Sequence, residues 1–111
     1  MVGKVVPFRP AMDLAGVATP TASEMESRVH ELAARTTNLR FDHPHFQLRM
    51  TQRGITMRQV LDVLRFGNVI DGPTKDQWGD WRVKLQRKVA GRRVQVVVAI
   101  QERHLDLVTT I

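Results

Sequence analysis

Apolar residues recur at helical spacing in two stretches of the chain. In the first, Thr21 and Glu24 form a capping box, in which each side chain satisfies an amide left free at a helix start. Met25, Val29, Leu32, Ala33 and Thr36 follow at helical spacing. Residues 21–37 are therefore predicted to form an amphipathic helix. Its apolar stripe must cover the domain's own sheet, which we favour, or else a second chain or a cognate protein.

The second stretch, residues 45–67, predicts two short helices joined at Arg53-Gly54-Ile55. Gly54 can take the left-handed conformation that ends a helix at no steric cost. Thr56 and Gln59 form a capping box that starts the second helix, and Gly67 is placed to end it. The apolar stripe of the second helix consists of Met57, Val60, Leu61 and Leu64.

The start of this helical hairpin is also marked in the sequence. Pro44 suits the first turn of a helix, because the amide that proline lacks would have no partner there. Asp42 or His43 is then the expected cap. Residues 39–42, just before it, are predicted to be a short extended piece.

Beyond Gly67 the period of the pattern changes from helical to two, which indicates strands. Residues 68–72 are predicted to be a first strand that ends in a turn at Gly72-Pro73, and residues 75–79 a loop. Trp81, Val83 and Leu85 then alternate with polar residues, which is typical of a half-buried strand. In residues 94–100 one face is apolar and the other, apart from Gln95, is apolar too, so we expect this more buried strand at the centre of the sheet.

Short turns at Ala90-Gly91 and Glu102-Arg103 separate the later strands. The predicted fold is α+β: an N-terminal helix and a helical hairpin packed on a curved antiparallel β-sheet. We divide the chain into a tail at 1–20, the amphipathic helix at 21–37 and the α+β domain at 38–111.

The charge of the chain is concentrated in the α+β domain. The net charge is +6 and the pI is about 11.1. Basic and acidic residues balance within 1–37, so the whole excess lies in 38–111. A basic domain favours polyanions such as nucleic acid or an acidic protein, although a basic composition also occurs without a specific partner.

The lack of cysteine excludes disulfides and thiolate chemistry and fits a reducing cytoplasm. No apolar run approaches the length of a membrane span, and Pro7, Pro10 and Asp13 interrupt any signal-peptide core. We therefore expect a cytoplasmic protein without a membrane partner.

The hairpin carries a recognisable set of residues: His45, Arg49-Met50, Arg53-Gly54-Ile55 and Gly67, followed by Thr109 in the last strand. This set resembles a bacterial family catalogued as domain of unknown function 4258. The chain departs from the family pattern at Phe46, where a small residue is usual, and at Ile111, where an aromatic one is.

That family is in turn similar to the RelE and BrnT toxin folds, which are small and basic and place helices on a curved antiparallel sheet. Many members of this wider group cut RNA without a metal. The resemblance thus implies a RelE-like domain, a toxin-like metal-independent endoribonuclease without a cofactor, and an acidic antitoxin-like protein as a partner.

Metal-free RNA cleavage needs a base, an acid and cations on the phosphate. His45 is the best acid–base candidate because imidazole titrates near neutrality. Arg49 and Arg53 lie on the same helix face and suit phosphate binding. In the structural alternative, His45 caps or packs its helix and the two arginines bond to the sheet.

Thr109 has a role by family resemblance only. Strict alternation places it with Leu105, Leu107 and Ile111 on the core face, which predicts a buried structural hydroxyl instead.

A second group of residues suits nucleic-acid binding. Arg82, Lys84 and Lys88 alternate along one strand face, with Arg92 and Arg93 beyond the turn, and such a face could follow a phosphate backbone. Trp78, in the loop, is the better candidate for stacking on a base, since Trp81 is in phase with the core. In the plainer alternative, this is a solvated sheet face.

His43 and His45 have no cysteine or suitably spaced carboxylate beside them, so we expect no metal site. Two functions remain open: the ribonuclease, and a non-catalytic basic module that binds nucleic acid or an acidic protein.

Overall fold

The computed structural model describes residues 19–111, so the predicted tail lies outside the described residues except for its last two positions. The described chain forms α1 (Ala22–Ala33), a 3-10 turn (Thr36–Asn38), β1 (Leu39–Arg40), α2 (Pro44–Arg53), α3 (Met57–Phe66), β2 (Asn68–Lys75), β3 (Trp81–Val89), β4 (Arg92–Ile100) and β5 (Leu105–Thr110). The α+β class is confirmed. None of the helices within residues 19–111 is long and apolar enough to cross a membrane.

The strands form one sheet with the order β1-β5-β4-β3-β2. Strands β2 to β5 make the predicted antiparallel meander, and the apolar strand β4 lies at its centre as expected. The short extended piece after α1 adds β1, which pairs with β5 in parallel through Leu39 and Leu105. The sheet is therefore mixed and not purely antiparallel as predicted. The parallel pairing could not be predicted, because a two-residue strand is too short to show an alternating pattern.

The predicted caps form, although α1 ends at Ala33, before the predicted end at residue 37. Both capping boxes form, at Thr21 with Glu24 and at Thr56 with Gln59. His43 caps α2, and Gly54 ends it in the left-handed conformation with φ 64°. Each cap satisfies backbone groups that a helix end would leave unpaired.

The core lies between one face of the sheet and the helices. The stripe of α1 packs against α3 and β2, which confirms that it covers its own domain. On α3 the fully buried residues are Val60, Val63 and Leu64. Leu61, which was predicted to belong to the buried stripe, is only partly buried, and Val63, which was not, is fully buried. The strands contribute Val83, Leu85, Val94, Val96, Val98, Ile100, Leu105 and Leu107.

Gly67 joins α3 to the sheet at a point where the backbone comes very close. A Cβ atom at this position would lie 2.5 Å from the carbonyl oxygen of Val63 and 2.9 Å from that of Gln86. The backbone here is extended, at φ −78°, so the residue is required for space and not for an unusual dihedral angle.

Two predictions about the strands are wrong. Gly72-Pro73 is not a turn: β2 continues through it to Lys75, with one register shift between Val69 and Asp71 and another across the pair, between Asp71 and Thr74. In β5, Leu107 pairs with Val98 but Thr109 pairs with Val97, so Val108 is an extra residue in the ladder. This bulge reverses the alternation, which places Thr110 on the core face and Thr109 on the opposite one.

Candidate functional site

The sheet face opposite the core carries polar side chains and has a pocket at one end. The pocket has a volume of about 530 Å³. It lies between the start of α2, the loop from β2 to β3 and strand β5, and its lining includes His43, His45, Trp78, Arg82, Asp106 and Val108. With Ala99 of β4, four separate segments of the chain therefore meet there.

The loop from β2 to β3 is organised by the carboxylate of Asp76. One carboxylate oxygen, Oδ1, accepts hydrogen bonds of 2.9 Å from the amides of Trp78 and Asp80. The other, Oδ2, accepts a hydrogen bond of 2.9 Å from Nε of Arg82 and so forms an ion pair with it. These contacts fix the backbone around Trp78 and leave its side chain at the surface.

The same contacts stabilise the ionised form of Asp76. Burial raises the pKa of this carboxyl, but the hydrogen bonds from Asp80, Arg82 and Trp78 and the charge of Arg82 outweigh it. The pKa of Asp76 is therefore held below its ordinary value of 3.8.

Trp78 presents an aromatic surface at the mouth of the pocket. Its side chain is 70% exposed, and the guanidinium of Arg82 lies 5.9 Å from the ring centroid. An exposed indole with a cation beside it is suited to stacking on a nucleobase. Trp78, which was predicted to stack on a base, therefore lies in the pocket lining.

The start of α2 brings two imidazoles to the pocket wall. Nδ1 of His43 accepts a hydrogen bond of 3.1 Å from the amide of His45 and so caps α2. His45 is exposed, and the neighbouring Phe46 is fully buried in the core. Phe46 therefore anchors the turn that holds His45 at the pocket.

The two arginines predicted to act with His45 lie outside the pocket lining. Nε of Arg49 donates a hydrogen bond of 3.3 Å to the carbonyl of Thr110, which ties α2 to β5. The backbone carbonyl of Arg53 accepts a hydrogen bond from Arg92. For Arg49 the structure thus shows the alternative in which the side chain bonds to the sheet.

The bulge at Val108 determines which side chains of β5 face the core and which face the pocket. Thr110 is fully buried, and its hydroxyl donates a hydrogen bond of 2.8 Å to the carbonyl of Gln95. Thr109 lies on the polar face, where its hydroxyl contacts the carbonyl of Thr110 at 3.4 Å. Val108, and not Thr109, lines the pocket. The buried structural hydroxyl predicted for Thr109 is therefore that of Thr110.

Of the predicted cations, Arg82, Lys84 and Lys88 share the polar face along β3. Arg93 is opposite Lys88 on β4 and faces the same way. Arg92 instead pairs with Val89 on the helix side of the sheet, and its guanidinium donates to the carbonyls of Arg53 and Gly54. Arg92 caps the end of α2 and is separate from the other cations.

The pocket also contains charged residues that were not among the predicted site residues: Arg40, Asp42, Asp76, Asp80 and Asp106. The side-chain amide of Gln101 bridges Asp80, at 2.9 Å, and Asp106, at 3.2 Å. These residues come from distant parts of the chain, and no spacing in the sequence relates them. Despite the carboxylates, no group of histidines and acidic residues within 19–111 is arranged to hold a metal ion.

The sequence profile of a family described as domain of unknown function (DUF4258) matches residues 43–111, more than half of the chain. The chain belongs to this family. No match was found among curated proteins or among solved structures. In this DUF4258 member the matched region contains α2, α3 and strands β2 to β5. The pocket residues Arg40 and Asp42 precede the matched region.

Proposed function

We propose that this DUF4258 protein is a metal-independent endoribonuclease of the RelE-related, toxin-like group, with its site in the pocket at the start of α2. The observation that carries the proposal is the meeting of His45, Trp78 and Arg82 at one pocket. Cleavage of RNA without a metal requires acid–base groups and a cation on the phosphate, and a stacking surface beside them would position the nucleotide.

In this proposal His45 moves the protons. RNA cleaves when the 2′-oxygen attacks the adjacent phosphorus: the 2′-hydroxyl loses a proton, the P–O5′ bond breaks and the leaving 5′-oxygen gains a proton. The exposed imidazole of His45 accepts the proton of the 2′-hydroxyl and, as imidazolium, returns a proton through water to the leaving 5′-oxygen. Arg82 supplies positive charge to the phosphoryl oxygens, and Trp78 stacks on a base beside the scissile bond.

The charges around the pocket suggest how the strand runs. Four aspartates line the pocket against two arginines, so only the scissile phosphate beside Arg82 would enter it and the rest of the RNA backbone would lie outside. The cations continue outside it along β3, from Arg82 through Lys84 to Lys88, over about 20 Å at the usual rise of a strand. A single strand of RNA would lie along this row with one nucleotide at the pocket, in the cytoplasm where such RNA is found.

The same row supports the second candidate function, a non-catalytic module that binds nucleic acid. Lys84, Lys88 and Arg93 lie outside the pocket lining, so they can hold a phosphate backbone without any contribution from His45. The two functions differ only in whether the bound strand is cut.

Incubation of the purified protein with a labelled single-stranded RNA, with and without a chelator, tests the proposal. We expect cleavage in both samples and a 2′,3′-cyclic phosphate at the new end. His45→Gln should lose most of this cleavage. The matched control, His104→Gln, changes a histidine outside the pocket lining and should keep it. RNA that is bound but stays intact would support the binding module, and cleavage that the chelator abolishes would contradict the mechanism.

A further inference from the structure

A second groove lies on the helix side of the sheet, between α3 and the turn that joins β3 to β4. Its volume is about 510 Å³. Its apolar lining comes from Leu61, Phe66, Val89 and Ala90. None of its lining residues belongs to the pocket at His45, so the two sites are separate.

Phe66 is the most unusual residue in this groove. Its side chain is 59% exposed at the end of α3, although the rest of the helix has a well-buried stripe. The guanidinium of Arg87 lies 5.2 Å from the ring, pairs with Asp62 at 3.2 Å and donates to the Phe66 carbonyl at 3.3 Å. An aromatic side chain with an arginine stacked on it is typical of residues that dominate protein interfaces.

The rim of the groove is positively charged. Arg58 and Arg65 line it and supply this charge. The acidic residue in the lining, Asp62, is already paired with Arg87. An apolar floor with such a rim fits an apolar stripe that is flanked by carboxylates.

We propose that this groove binds an acidic amphipathic helix of a partner protein. Charge argues against two other occupants. A second copy of the chain carries a net charge of +6 and would be repelled. Residues 1–18 contain Lys4, Arg9 and Asp13, so they also lack the acidic charge that would complement the rim. This inference does not depend on the proposed function, because the groove shares no residue with the pocket.

The test uses a labelled synthetic 18-residue peptide with leucine at positions i, i+3, i+4 and i+7 and glutamate at the other positions. Fluorescence anisotropy measures its binding to the full chain. We expect saturable binding that falls roughly tenfold in Arg58→Glu, because a reversed rim charge slows association. Phe66→Ser should also lose roughly tenfold, since it removes the apolar anchor.

The matched control is Arg103→Glu, which changes an exposed arginine in the turn at the other end of β4. Its affinity for the peptide should stay within about twofold of the parent, as expected for a charge outside the interface. A peptide with lysine in place of glutamate should not bind. Equal binding of the lysine peptide, or equal affinity of Arg58→Glu and Arg103→Glu, would overturn the proposal. So would a dimer of the full chain that Phe66→Ser disrupts.

Discussion

The two faces of the sheet differ in what holds them and in how they relate to the sequence. The helix-covered face is held by apolar side chains that are almost all fully buried, such as Leu64, Leu85 and Val96. The polar face is held by hydrogen bonds and ion pairs, among them Asp76 with Arg82 and Gln101 with Asp80. The helix-covered face therefore supplies most of the stability of the fold, and the polar face supplies the surface that is available to ligands.

If this contrast is correct, the largest stability change comes from the helix-covered face. Leu64→Ala removes a fully buried side chain and should lower the free energy of unfolding by about 2–5 kcal/mol. Trp78→Ala, on an exposed side chain of the polar face, should change it by less than about 0.5 kcal/mol. Urea unfolding of both variants measures this, and equal losses would remove the distinction between the faces.

A smaller loss is expected at the point where the helix layer meets the sheet. In Gly67→Ala the new methyl group would lie against two carbonyl oxygens, of Val63 and Gln86, so the backbone must move. We expect a cost of about 1–3 kcal/mol, as for other overpacked sites. The same denaturation experiment detects it, and an unchanged midpoint would show that α3 and β3 can separate freely here.

Asp76 should make the stability of the polar face depend on pH. The pKa of Asp76 is lowered in the folded chain, so its ionised form adds stability above pH 3.8 that is lost as the pH falls through the lowered value. Asp76→Asn removes this part of the acid sensitivity. Thermal melts between pH 2 and 6 should show a shallower loss for Asp76→Asn than for the parent, with the exposed Asp71→Asn as the control.

The smallest expected effect distinguishes two cations on opposite sides of the sheet. Lys84→Ala should reduce the salt dependence of RNA binding by about 0.7–0.9 in the logarithmic slope, as one phosphate contact would. Arg92→Ala should leave the slope unchanged and lower stability, because Arg92 caps α2. Titrations at several salt concentrations measure both slopes, and a reduced slope for Arg92→Ala would place the RNA elsewhere.

Most of the helix-covered face could be predicted, because its apolar residues recur with the period of a helix or a strand. The stripe of α1, both capping boxes and the central position of β4 all follow from local patterns. One error arose where a single residue breaks the period. The bulge at Val108 exchanged the faces of Thr109 and Thr110, and nothing local signals a bulge there.

The pocket could be predicted only in part, for a different reason. His45, Trp78 and Arg82 could be selected one at a time from their chemistry. Their meeting in one pocket depends on the turn centred on Asp76 and on the cap at His43, which are contacts between specific atoms. The separation of Arg49 from the pocket likewise follows from one hydrogen bond to β5.

The rate of RNA cleavage by His45→Gln tests the central claim most directly. Glutamine keeps a hydrogen-bonding side chain at this exposed position but cannot transfer a proton at neutral pH, so the single-turnover rate should fall by about 100- to 10,000-fold. The melting temperature and the RNA affinity should match those of the parent and of His104→Gln. A folded His45→Gln protein that cleaves RNA at the parent rate would contradict the account.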